Sequence, residues 1–133
     1  MQDLSPPKER RKHPRYTMDL PLSFQMTESP NIYAGLITNV SEAGLQIQAM
    51  EDMAVGLRLS IEAFFAMGFE LSTLEGIVQV IWKNYYDDHV WKECLGYKYG
   101  LEFVQISEEN YLKLKHLLRN KSNAGDTSPQ GNA

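Results

Sequence analysis

A short basic segment near the amino terminus carries the side chains best suited to binding an anion. The segment, Arg10-Arg11-Lys12-His13-Pro14-Arg15, is called the basic arm below. Pro14 lacks a backbone N–H and disfavours helical geometry at His13, which predicts an extended chain. Extended, Arg11 and Arg15 lie up to about 14 Å apart. Arginine pairs with phosphate oxygens and with the O6/N7 edge of guanine, so the arm predicts two contacts with one small anionic ligand.

A second polar cluster, Asn39-Val40-Ser41-Glu42-Ala43-Gly44, has the composition of a turn and is called the 39–44 turn. Residues two apart in an extended segment point the same way, so Asn39 and Ser41 present an amide and a hydroxyl on one side. These groups offer donors and acceptors to the polar edge of a base. Gly44 permits a positive φ or a close backbone approach. The alternative is a hairpin turn whose Asn and Ser bond only their own backbone.

The net charge of −4 conceals an uneven distribution. Residues 1–16 carry five basic and two acidic side chains, whereas the rest of the chain carries eight basic and 15 acidic ones. A local positive segment on an acidic body favours a small anionic partner over a long nucleic acid.

Several classes of protein and of site are disfavoured by the composition. Cys94 is the single cysteine, which excludes an internal disulfide or a cysteine zinc cluster and agrees with a reducing compartment. His13, His89 and His116 lack metal-ligand spacing. No nucleophile and base, and no pair of carboxylates, stand at a spacing typical of an enzyme. The chain has no apolar run long enough for a membrane span and no signal pattern, so we expect a cytoplasmic protein without a membrane span. We also expect no metal and no cofactor.

Alternating apolar and polar residues predict six or so antiparallel strands to position these groups. The strands lie at Leu20 to Met26, Ile32 to Val40, Leu45 to Ala49, Leu59 to Ala63, Leu71 to Trp82 and Tyr97 to Ile106, with a turn at Asn84 to Asp88. No helix is interleaved, and closing a sheet removes its exposed edges. The predicted fold is mainly β, a six-stranded antiparallel barrel.

One helix of about twelve residues is expected to follow the barrel. Ser107 is a suitable N-cap, and Glu108 and Glu109 favour the positive end of the helix dipole. Its apolar face, which should pack on the barrel, consists of Tyr111, Leu114, Leu117 and Leu118.

The polar composition of both ends predicts a flexible segment at residues 1–9 and a disordered tail at residues 121–133. The expected domain is residues 10–120.

The two polar motifs together resemble those of a known family. Arg11-x-x-x-Arg15 followed by Asn39-x-Ser41-x-x-Gly44 is similar to the RxxxR and (D/N)xSxxG pair of PilZ domains, the cyclic di-GMP receptors of bacteria. Tyr99 to Phe103 resembles that family's closing strand, and Ile77 to Lys83 the strand before it. The resemblance covers roughly residues 8–119.

The resemblance implies a role for each matched residue. Arg11 and Arg15 would bind the phosphates and the Hoogsteen edges of the guanines, Asn39 and Ser41 would read a guanine's polar edge, and Gly44 would leave room for the base. The ligand would order a mobile arm and change the surface seen by an unidentified downstream protein partner. Motility, biofilm formation and exopolysaccharide production are examples of processes so regulated.

Arg10 raises the question of stoichiometry. In the resembled family, the residue before the first motif arginine influences whether one ligand or a stacked pair binds. We expect two ligands per site, with ligand-linked dimerisation, while a solvated Arg10 and a single ligand are the alternative.

Two other functions stay open. The basic arm could enter a groove or follow the phosphates of DNA or RNA, with a steep dependence on salt. Alternatively, the barrel could be an adaptor that ignores nucleotides and uses the hairpin Asn84 to Tyr97. The aromatic side chains of this hairpin, which belong to the core, the rim or a partner surface, are Tyr85, Tyr86, Trp91 and Tyr97.

Overall fold

The computed structural model describes residues 14–88 and 93–131. Its elements are β1 (Tyr16–Met26), β2 (Tyr33–Val40), β3 (Gly44–Ala49), β4 (Arg58–Met67), β5 (Glu70–Asp88), β6 (Glu93–Gln105) and α1 (Glu108–Gly131). The strands form a closed barrel in the order β1-β2-β3-β6-β5-β4, and every neighbouring pair is antiparallel. Closure gives each of the six strands a partner strand on both sides. The predicted six-stranded antiparallel barrel with a carboxy-terminal helix is confirmed.

Alternate residues of the strands fill the barrel. Leu22 and Phe24 of β1, Ile47 of β3 and Val78 of β5 are all buried. Because successive side chains of a strand point to opposite faces, the sequence alternation places one set inside and the other outside.

Tyr99 of β6 is a fully buried polar side chain whose hydroxyl has two partners. It accepts a hydrogen bond from the N–H of Met53 at 2.7 Å and donates one to the carbonyl of Glu51 at 2.5 Å. These bonds connect the segment before β4 to the interior of the barrel. They also satisfy backbone groups that no strand partner would reach.

The turn predicted at Asn84 to Asp88 is wrong, because these residues are the last part of β5. Tyr85 pairs with Tyr97 of β6, and their ring centroids lie 5.3 Å apart. Cross-strand aromatic pairs stabilise a ladder even where the local sequence is polar, and this pairing overrides the turn propensity.

The aromatic residues of this hairpin have different environments. Tyr85 is exposed to solvent, whereas Tyr97 packs against the core. His89, Trp91 and the side chain of Tyr86 lie outside the described part of the chain.

Helix α1 begins as predicted but is longer than expected. The hydroxyl of Ser107 accepts a hydrogen bond from the N–H of Asn110 at 3.2 Å, which confirms the N-cap. Leu114 and Leu118 are buried in the core. The helix has 24 residues instead of about twelve, and its backbone runs through most of the segment assigned to a tail. The predicted helix ended where its apolar face ends. Helical hydrogen bonds are internal to the helix, so the helix can continue through polar residues. The predicted domain limits stay a prediction.

Candidate ligand site

Four of the predicted site residues line one cleft at an end of the barrel. The cleft holds about 460 Å³ of space, part of which is open to solvent. These residues are Arg15, Asn39, Ser41 and Gly44. Further lining comes from Ile81 and Trp82 of β5 and from Gly100, Leu101 and Glu102 of β6, the strand that pairs with β3. Arg10 and Arg11 lie outside the described residues.

Strand pairing explains why residues far apart in the sequence meet here. Antiparallel pairing of Tyr16 with Val40 puts the start of β1 beside the end of β2, so Arg15 lies next to the 39–44 turn. Leu45 of β3 then pairs back with Val40. Irregularities in register interrupt β1 after Thr17 and β2 before Asn39. Such bulges bend a strand and redirect its side chains, as is common beside functional sites.

Ser41 uses its hydroxyl to build the turn. The oxygen accepts hydrogen bonds from the N–H groups of Ala43 at 3.2 Å and of Gly44 at 3.3 Å. The Ser41 N–H donates to the Gly44 carbonyl at 2.9 Å, and the residue is buried. For Ser41, these contacts match the alternative in which the side chain bonds its own backbone. Its contact with a guanine stays a prediction.

Gly44 is required by a close approach of two strands. A Cβ added at this position would lie 1.9 Å from the carbonyl oxygen of Leu101, far inside contact distance. Gly44 pairs with Glu102 of β6, so any side chain here would push β3 and β6 apart. This explains the glycine without a ligand, and the room it would leave for a base stays a prediction.

Trp82 is a cleft residue that the sequence analysis did not single out. Its indole lies directly over Gly100, where an added Cβ would be 2.1 Å from Nε1 of Trp82. The side chain is half-buried and lines the cleft. An aromatic ring at the edge of a cleft is a stacking surface for a base, because every base has a π face. The pairing of Trp82 with Gly100 was the available signal, but it requires the strand register.

Glu42 belongs to the turn but is directed away from the cleft. Among residues 39–46, all of which the structure describes, Glu42 alone does not line it. Its Oε1 accepts a hydrogen bond of 2.9 Å from the hydroxyl of Tyr111 on α1. This bond to the carboxylate raises the pKa of Tyr111 above its usual value.

The part of the chain that the structure describes shows neither a group of metal-binding side chains nor a helix that could span a membrane. Residues 14–88 and 93–131 contain no cluster of three or more metal-binding side chains. No helix within them is long and apolar enough to cross a membrane.

The closed barrel, the carboxy-terminal helix and the cleft define a small β-barrel domain with a site between a turn and a tryptophan. The PilZ domain family model matches residues 9–120, and the chain belongs to this family. PilZ domains are ligand-binding and adaptor domains rather than enzymes. No curated protein matches the chain.

Two solved structures share this fold at low sequence identity. The structure of the Bacillus subtilis inhibitor of motility, MotI/DgrA, is 19% identical with a TM-score of 0.67, covering 86% of this chain and 52% of that one. The chain thus spans about half the length of that protein. The PilZ domain with c-di-GMP of YcgR from Escherichia coli is 12% identical with a TM-score of 0.67, covering 91% of this chain and 98% of that one.

Proposed function

We propose that the chain is a cytoplasmic cyclic di-GMP receptor that acts as an adaptor, not an enzyme, and needs no cofactor. One observation carries the proposal: in a PilZ domain, Arg15 and the 39–44 turn meet in a single cleft. The similar YcgR domain is described with c-di-GMP, which supports this choice of ligand.

Each group in the cleft has a role suited to a dinucleotide. Arg15, together with Arg11 of the basic arm, binds the phosphates and the Hoogsteen edges of the guanines. Asn39 bonds the polar edge of a guanine. Ser41 holds the turn in shape and adds a contact where its geometry permits. Trp82 provides a flat apolar wall on which a guanine stacks.

The output is a change of surface. The basic arm leads directly into β1, so a ligand that joins the arm to the cleft changes the barrel mouth that a partner protein meets. Because one similar structure is an inhibitor of motility, motility is a process to test first, beside biofilm formation and exopolysaccharide production.

Calorimetric titration with cyclic di-GMP, with GTP as the comparison ligand, tests the proposal. Arg11→Ala and Arg15→Ala should each weaken binding about tenfold to a hundredfold, since a hydrogen bond to a charged group contributes roughly 1.5–3 kcal/mol. Arg58→Ala is the matched control, because Arg58 is an exposed arginine that does not line the cleft. Unchanged affinity in both arm variants contradicts the proposal.

Stoichiometry is tested in the same titration. We expect two ligands per site, with Arg10 helping to neutralise the stacked pair, and dimerisation detectable by light scattering when ligand is added. Arg10→Ala should then reduce the ratio from two ligands to one. A ratio of one in the unmodified chain contradicts the stacked pair while leaving the receptor function intact.

A further inference from the structure

A carboxylate in the 39–44 turn is a disadvantage for a site that binds phosphates. Glu42 stands directly between Ser41 and Ala43, both of which line the cleft. A negative charge that turned toward the cleft would repel an anionic ligand at short range, where screening by salt is incomplete. Its bond to the Tyr111 hydroxyl fixes Oε1 toward α1 instead.

We propose that Tyr111 is a positioning residue that sets the anion affinity of the cleft by holding the Glu42 carboxylate on the helix. The inference rests on the proposed function, because it concerns the affinity of that same site. Tyr111 touches no ligand in this scheme and acts through Glu42.

The surroundings of Tyr111 suit this role. Helix α1 is fixed against the barrel by Leu114 and Leu118, which are buried in the core. Tyr111 lies one turn before Leu114 and is itself packed partly against the core, so its hydroxyl is held at a defined position. The ammonium of Lys115 lies 5.5 Å from the Tyr111 ring centroid and adds a positive charge on the helix side.

The turn is also attached to the strand that leads into this helix. The N–H of Phe103 on β6 donates to the carbonyl of Ala43 at 2.9 Å. The backbone of the turn is therefore held by β6, while the Glu42 side chain is held by α1. A movement of α1 that separates Tyr111 from Glu42 would break this hydrogen bond without dismantling the turn. By linkage, ligand binding and the position of α1 then influence each other equally.

A double-mutant cycle tests the inference. Tyr111→Phe removes one hydroxyl and keeps the ring, and it should weaken cyclic di-GMP binding on the order of fivefold at low salt, as a unit charge near the ligand would. In a Glu42→Gln background, which carries no charge to release, the same change should have no effect. The loss should also shrink as salt is raised. Equal losses in both backgrounds, or a loss independent of salt, would show a merely structural role and overturn the inference.

The Glu42–Tyr111 contact can be checked without any ligand. Ultraviolet titration of the tyrosines should show one pKa lowered by Glu42→Gln, because the carboxylate raises the pKa of Tyr111. No change in the titration between the two proteins would show that the contact is not made in solution, and would overturn the inference.

A second probe distinguishes failure of the proposed receptor function from failure of the inference about Tyr111. If the unmodified chain does not bind cyclic di-GMP, the proposed function fails. Inorganic pyrophosphate, followed by the amide NMR signals of Ala43 and Gly44, then decides the inference. Weaker pyrophosphate binding in Tyr111→Phe supports it, whereas equal affinity, or no binding to either protein, overturns it.

Discussion

Ser41 and Gly44 shape the 39–44 turn before any ligand is considered. The Ser41 hydroxyl accepts hydrogen bonds from two backbone N–H groups, and Gly44 allows the carbonyl of Leu101 to approach β3 closely. A motif residue can therefore matter for binding without touching the ligand, because it positions the residues that do. If a variant of Ser41 or Gly44 loses ligand binding, its stability must therefore be measured as well.

Gly44→Ala should destabilise the barrel. The added methyl group would lie 1.9 Å from the Leu101 carbonyl oxygen, and relieving this clash requires β3 and β6 to separate. Overpacking of this kind costs about 1–3 kcal/mol, measured by urea unfolding. Gly76→Ala is the matched control, because its nearest contact is 3.3 Å in another strand of the same barrel. Equal losses in the two variants would contradict the special role of Gly44.

Tyr99→Phe should also lower the free energy of unfolding. The change leaves the Met53 N–H and the Glu51 carbonyl without the hydroxyl that now pairs both. Each buried group left unpaired costs about 1–3 kcal/mol. Tyr85→Phe is the comparison, since Tyr85 is 73% exposed and makes its contact through the ring. A Tyr99→Phe protein as stable as Tyr85→Phe would mean that water replaces the lost hydroxyl.

At the scale of elements, the sequence predicted the strands and the helix start, because these depend on the residues of the element itself. The strands followed from alternation, and the start of α1 from Ser107 and the acidic first turn. The turn at Asn84 to Asp88 was wrong because its stability as a strand comes from partners on β6. Neither the partner nor the register can be read from five polar and aromatic residues.

The candidate site was likewise predicted only in part, because some of its residues are set by motif spacing and others by strand register. Arg15, Asn39, Ser41 and Gly44 were found from motif spacing, and the structure brings all four to one cleft. Trp82 was missed because its direction depends on an irregularity in the β5–β6 register between Val80 and Trp82. An extra residue there alters which side chain faces the cleft, and no spacing rule within one strand reveals it.

Helix α1 should be bound to the barrel through one face only. Leu114→Ala removes a side chain that is 1% exposed and should cost about 2–5 kcal/mol in urea unfolding. Leu112→Ala makes the same chemical change at a residue of the same helix that is 58% exposed, and should stay within about 0.5 kcal/mol of the unmodified protein. If the Leu112 variant lost as much, the opposite face of α1 would also be packed.

For the whole molecule, charge distribution limits the choice of partner. The chain carries a net charge of −4, with its basic excess confined to residues 1–16. A long nucleic acid that contacted the arm would also meet the acidic remainder. A dinucleotide is small enough to stay within reach of the arm and the cleft.

Salt dependence should separate these two kinds of partner. A polymer that releases condensed counterions from six phosphate contacts loses about a thousandfold in affinity between 50 mM and 200 mM salt. Cyclic di-GMP has only two phosphates and no condensed counterion layer, so its affinity should fall less than about tenfold over the same range. Fluorescence anisotropy with labelled cyclic di-GMP and with a labelled 20-nucleotide DNA measures both, using Arg15→Ala as the control for the cleft. Saturable DNA binding with a steep salt slope, at concentrations where cyclic di-GMP does not bind, would favour the nucleic-acid alternative over the receptor.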